Sequence, residues 1–481
     1  MKNNYIICVA ICLSYVSSSL FGESYYNDDL FRSIFGYYGW QDDGRPLAEF
    51  IYRTLTLNNI NIPDMYPLLL IIAICFYCYV CIKVGNVILD RKSLLIDIIS
   101  CSFIFSPLFA SNLWFRYDSF FMVLSLTAAI YPFSINKNIT SKVLLGAISL
   151  ISCLTLYQPS ISLFICMSSV EFMFISMRAD NNMKSMWLVL SSRVATIALS
   201  LFIYFKVVIP LVPAGYYFAK LSNPINNIEC GYDIIINNYI SVYSLFHKVY
   251  DSPFIIPLVG LLILAIISSI ACVATANKKV LSALSILICF LTLFVFVPGL
   301  GVFTQNMAVY PRVLIAFSCL FFTSLSLIAI SPLHNYIKQG AVVVVFLSCF
   351  VFYFSSTNAI KEEFNSKTIL SSRIVSILDS KGLSDRKVFI IDGNAEFSPI
   401  LKFTANIYPF LYDMVPKTFS GGYDGGRFML MRSGLLGIYY ADYELSYELI
   451  KKRDEISPLF KSDEFSIFDI DNVIIIKFGH Y

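Results

Sequence analysis

YYNDDLFRSIFGYYGWQDDGRPLAEFIYR, residues 25–53, follows one apolar segment and precedes a long series of others. It holds the acidic pairs Asp28-Asp29 and Asp42-Asp43, the arginines Arg32, Arg45 and Arg53, and a run of aromatics ending at Trp40. A linker between two spans needs none of these. Carboxylates do acid/base work, guanidinium groups match anions, and rings stack on sugars. Chemistry packed between apolar segments predicts a polytopic helical membrane protein whose site lies at the outer membrane surface.

Composition agrees. The chain is 57% hydrophobic and 14% charged, whereas a soluble domain carries about 25% charge. Apolar runs of roughly 17 to 22 residues recur, each long enough to cross the hydrocarbon. The net charge of +3 is too small to argue for nucleic acid. Of the 13 cysteines, all but Cys230 lie in or at the ends of apolar segments, so no outside disulfide is expected. Cys75, Cys78 and Cys81 have helical spacing, but inside a span they read as small apolar filler rather than metal ligands.

The first apolar stretch runs over 5–21 after Lys2, and Ser17-Ser18-Ser19 also offers the small residues of a signal-peptide cleavage site. Cleaved or kept, it leaves the next loop outside. Further spans are expected at 66–82, 94–110, 119–133, 143–157, 160–177, 187–211, 254–273, 280–297, 312–330 and 340–356, about eleven in all. Lys83, Arg91 and Lys92, Lys137 and Lys142, Arg178 and Lys184, Lys278 and Lys279, and Lys338 fall in alternate short loops, which places those loops and the N-terminus inside. Four features are then outside: the loop 22–65, a hairpin around Arg116, the loop 212–253 and the tail. Pro46 opens a predicted surface helix with Leu47, Phe50, Ile51 and Leu55 on one face and Glu49 and Arg53 paired on another. The spanning domain is read as 1–356. The tail, 357–481, is read as a small α/β domain, with strands at 388–391 and 473–476 and helices near 399–409 and 426–437.

Asp28 and Asp29, just past a membrane exit with Arg32 one helical turn on, are the candidate catalytic residues; such a pair serves as general base or leaves room for a divalent cation. The bland alternative is solvated surface. The hairpin NLWFRYD carries Arg116 and Asp118, YQPS carries Gln158, and Arg312 follows Tyr310-Pro311 at an outer span end. Arg116, Arg312 and Arg45 are candidates for phosphate, with snorkelling as the alternative. Asn27, Arg32, Trp40, Asp42, Asp43, Asp118 and Gln158 are candidates for other substrate contacts. His247, His334 and His480 are isolated, and the chain has no zinc spacing, P-loop or GxSxG. GGYDGG at 421–426 reads as a turn.

NDDLFR, then WQDDGRPL, then RYDS, then YQPS, in that order, resemble the GtrII-like bacterial O-antigen glucosyltransferases from about residue 20 to 330. The resemblance implies a GT-C-like fold in the bacterial inner membrane. It also implies transfer of glucose from undecaprenyl-phosphate-glucose to lipid-linked O-antigen on the periplasmic face. GT-C enzymes generally keep an essential acid in the first outside loop, the place of Asp28 and Asp29 here. Tyr37, Tyr38 and Trp40 are suited to stacking on sugar, and no nucleotide is needed outside the cell.

An O-antigen polymerase or ligase would favour arginine-rich outside loops over an acidic pair. A transporter or lipid flippase would place ionisable groups at mid-membrane and show paired repeats. A membrane acyltransferase would want a catalytic histidine.

Overall fold

A helix that is apolar on every side is stable where its backbone bonds are internal and its flanks meet protein or lipid. The computed structural model describes residues 2–479 except 58–59, 137, 179–181, 213–214 and 226–227. Lys137, His480 and the side chain of Cys230 lie outside the described residues. The chain opens with α1 (Lys2–Leu20), the loop helices α2 (Asp29–Phe35) and α3 (Pro46–Thr56), then α4 (Leu68–Ile88), α5 (Leu94–Ser100), α6 (Ser119–Ile130), α7 (Ile139–Leu156), α8 (Ile161–Ser176) and α9 (Met183–Ile203). It continues with α10 (Tyr216–Ser222), α11 (Ile228–Tyr250), α12 (Ile255–Thr275), α13 (Lys279–Phe296), α14 (Ser318–Ile330) and α15 (Asn335–Ser380).

Among the described residues, eight helices are long and apolar enough to cross a membrane, and two shorter apolar ones cover Ser119–Ser134 and Ile315–Ile330. The other three expected spans, 94–110, 119–133 and 312–330, are short or interrupted helices rather than long continuous ones. In 94–110 the helix stops at Ser100 and gives way to the 3-10 turns Ser102–Phe105 and Ala110–Leu113. Pro107, which has no N–H, lies between those turns. The segments 119–133 and 312–330 form only the short α6 and α14, the latter entered through turns that begin at Pro311. The loop 212–253 is mostly helical, holding α10 and α11.

Outward side chains match a lipid solvent. Ile256, Ile263, Ile266 and Ile270 on α12 and Leu284, Leu287, Leu291 and Phe294 on α13 are exposed stripes, a pattern that water would not tolerate. Inside the bundle Arg193 of α9 makes a two-pronged contact with Glu171 of α8, at 2.7 and 2.9 Å, and lies over the Phe133 ring. Each charge gives the other its only affordable setting in such an interior.

The helix α15 runs for 46 residues, about 69 Å at 1.5 Å per residue. Position 357, where the second domain is expected to begin, falls inside it. Its far end, with Leu370, Ile374 and Leu378, packs under a five-stranded sheet. The rest of the chain supplies β1 (Val388–Asp392), α16 (Pro399–Ile407), α17 (Gly425–Arg432), β2 (Tyr439–Tyr440), α18 (Tyr443–Arg453), β3 (Phe460–Lys461), β4 (Phe465–Ile470) and β5 (Val473–Phe478). The order is β2-β1-β5-β4-β3, with β1 parallel to both neighbours and β3, β4 and β5 antiparallel. Asp471 and Asn472, at φ 54° and 66°, make the two-residue hairpin turn between β4 and β5. Strand alternation feeds two layers: Phe389, Ile391, Ile474 and Ile476 face α15 and α17, while Ile390, Ile475 and Phe468 face Leu449 of α18.

Candidate active site in the first loop

The two acids of the first pair end in opposite surroundings. Asp29, in the first turn of α2, is fully buried. Its Oδ2 accepts the N–H of Tyr26 at 3.1 Å and of Arg116 at 2.9 Å, and its Oδ1 accepts that of Tyr117 at 3.3 Å. The carboxyl thus pins the loop to the RYDS hairpin. Burial pushes its pKa up to about 8; the Arg116 N–H opposes this, and the charge of Asp118 adds to it. Asp28 precedes α2, makes no capping bond and is exposed. Its charge reaches three neighbours. Burial pushes the Tyr26 phenol up, Arg312 opposes and Asp28 adds. Burial and then Asp28 push Tyr423 up, with Arg312 opposing. Asp43 is raised by burial, lowered by Arg45 and raised again by Asp118 and Asp28.

Arg32 does not pair with the acidic pair beside it. It reaches Asp118 at 3.3 Å, donates to the carbonyls of Tyr37 and Tyr38 and lies over the Trp40 ring at 4.2 Å. Trp40 is fully buried and donates to Asp118 at 2.6 Å. Tyr38 is buried too, so neither ring is a sugar platform; Tyr37 stays partly exposed and donates to Asp42. Arg32, Trp40 and Asp118 are an internal brace, and the substrate contacts expected of them need correcting.

The turn before α3 is held by Gln158. Its Nε2 donates to the Asp43 carbonyl at 2.7 Å and to Tyr204 Oη at 3.1 Å, and its Oε1 accepts from Arg45 Nε at 3.1 Å. Arg45 also lies over the Tyr157 ring and 3.9 Å from Asp118. On α3, Glu49 and Arg53 pair at 2.8 Å as expected, and Glu49 also accepts the Gln41 N–H at 3.1 Å. Phe50 and Leu55 remain exposed.

Arg116 faces Asp64, with Nε and Nη2 at 2.9 and 2.8 Å from one carboxylate oxygen, and stands between the rings of Tyr25 and Tyr66. Asp64 escaped the sequence reading because a lone acid in NIPDMYP carries no pattern. Arg312 lies over Tyr310 and Phe115, and its carbonyl accepts from Asn112 and Tyr157. Asn27 accepts a hydrogen bond from Tyr423 of the second domain at 2.8 Å. Among the described residues, the ligand-type trio that lies within 4.8 Å is Cys12, Cys78 and Cys101, buried in the bundle; it shares no residue with the acidic site. Cys78 therefore packs with partners on other segments rather than with Cys75 and Cys81 alone.

The profile for glucosyl transferase GtrII matches residues 17–323, which include every site residue from Asn27 to Arg312. The chain belongs to the GtrII glucosyltransferase family. As a GtrII glucosyltransferase it acts on a sugar donor and an acceptor, and its apolar helices make it a membrane protein. It is also similar to a Salmonella phage P22 protein described as an uncharacterized 55.3 kDa protein in the gtrB 5′ region, with 24% identity over 489 residues and 98% of each chain covered. No solved structure matches the chain.

Proposed function

We propose that this glucosyltransferase moves glucose from undecaprenyl-phosphate-glucose to lipid-linked O-antigen repeat units on the periplasmic face of the bacterial inner membrane, by GT-C-like inverting transfer with Asp28 as general base. The acceptor hydroxyl gives its proton to Asp28 and attacks the glucose anomeric carbon, while the bond to the phosphate oxygen breaks. The leaving polyprenyl phosphate gains negative charge, which Arg312 and Arg45 offset.

The observation that carries this reading is the sorting of the pair: Asp29 is enclosed by three backbone N–H groups, and Asp28 is exposed, its charge felt by Asp43 and, like that of Arg312, by Tyr26 and Tyr423. Support for a lipid donor comes from a shallow apolar groove between α3 and α7, lined by Pro46, Leu47, Phe50, Ile148, Ile151 and Thr155. A prenyl chain suits such a groove, and a free nucleotide sugar does not. Arg116 would have to leave Asp64 to meet a phosphate.

The test is glucose incorporation by membranes supplied with undecaprenyl-phosphate-glucose, at matched protein levels. Asp28→Asn keeps shape and removes proton acceptance, so the rate falls by about 10² to 10⁴. A parent-like rate would exclude Asp28 as the base and turn attention to Asp43.

A further inference from the structure

The loop GGYDGG lies beyond the residues that the family profile matches, yet its tyrosine reaches the site. We propose that Tyr423 is a positioning residue for transfer: its hydroxyl holds Asn27 and thereby fixes where the adjoining Asp28 carboxylate stands. This rests on Asp28 being the base.

Four observations carry it. First, Tyr423 Oη donates to Asn27 Oδ1 at 2.8 Å, across 396 positions of sequence. Second, Asn27 has φ 52°, in the left-handed region that asparagine enters more readily than most side chains, and this turn aims the chain into Asp28 directly after it. Third, the loop is built to seat this ring. Gly422 has φ +87°, and a Cβ on Gly425 would stand 2.4 Å from the Tyr423 ring, so a side chain at 425 would push the ring aside. Tyr440 adds a strut, donating to the Tyr423 carbonyl at 3.2 Å while accepting the Arg427 N–H at 3.0 Å. Fourth, the same two surfaces meet elsewhere. Tyr26 donates to the Met414 carbonyl, Arg432 lies 4.4 Å over the Tyr25 ring, and Phe31 meets Phe428 at 5.3 Å. The second domain is therefore seated on both sides of Asn27-Asp28. The bland alternative is that the phenol only fastens the domain.

Kinetics separates the two. Tyr423→Phe keeps the ring and removes the hydroxyl, so kcat is expected to fall about five- to tenfold, as for one lost hydrogen bond. The donor KM is expected to stay within about twofold, and the detergent melting midpoint to hold. Asn27→Gly keeps the positive φ and removes the acceptor oxygen; it should lose kcat similarly, and Tyr423→Phe should cost nothing more in that background. A parent-like kcat for Tyr423→Phe, or losses that multiply in the double variant, would overturn the proposal. So would a fall in melting midpoint with kcat unchanged. Asp28→Asn run in the same assay separates the failures: if it is inactive while Tyr423→Phe is parent-like, the positioning role alone is wrong. If Asp28→Asn is itself parent-like, the assignment of the base is wrong.

Discussion

Asp28 and Asp29 are neighbours in sequence that water treats differently. That the loop held an acidic pair could be read directly; which member was buried could not. The burial of Asp29 is made by N–H groups of Arg116 and Tyr117, 87 and 88 positions away, and no local pattern encodes such a partner. Trp40 shows the same limit: an aromatic in an outside loop reads as a sugar platform until Asp118 is found at its N–H edge and Arg32 over its face. The Asp29 carboxyl has a folded-state pKa of about 8 against an ordinary 3.8. The folded state then binds the extra proton between those values, so stability from this group is full below about pH 4 and lost as pH rises to about 8. The parent's melting midpoint should fall more steeply between pH 5 and 8 than that of Asp29→Asn. Equal slopes would show that Asp29 is ionised throughout.

Hairpins and short helices divide the labour among the arginines. The Arg116 hairpin is closed onto the first loop by Asp64, so Arg116→Ala and Asp64→Ala should behave alike, lowering stability and the amount of folded protein with little change in donor KM. Arg312→Ala should instead raise the KM for undecaprenyl-phosphate-glucose about tenfold, the usual scale for one charge-assisted contact. Rates for both substrates at matched protein levels decide it; a raised KM for Arg116→Ala and none for Arg312→Ala would reverse the roles. Elements carrying their own start signal were legible, α3 from Pro46 above all. The segment 94–110 was not, because hydropathy sees the apolar run and overlooks Pro107 within it, where a turn sealed inside protein replaces the helix.

Across the whole molecule, lysine and arginine bias predicts an inside N-terminus and an outside second domain. A periplasm-active reporter fused after residue 381 should be active and one fused near Lys278 silent; the opposite pattern would invert the site. The α/β character of the tail was readable from Val388–Asp392 and Val473–Phe478, whose apolar runs are bounded by turns. Its seat was not. Leu30 of the first loop joins the core of the sheet domain, and a single leucine in an acidic segment gives no hint of a partner near the other end of the chain.

Because α15 passes unbroken from the bundle to the sheet, the angular phase of that helix sets the direction the second domain faces. One alanine inserted after Asn358 would turn everything beyond it by about 100° and advance it by about 1.5 Å. Such a twist would swing Tyr423 away from Asn27 while leaving every span intact. The inserted chain should reach the membrane in normal amount and transfer no glucose. A parent-like rate would mean that the helix bends to absorb the turn.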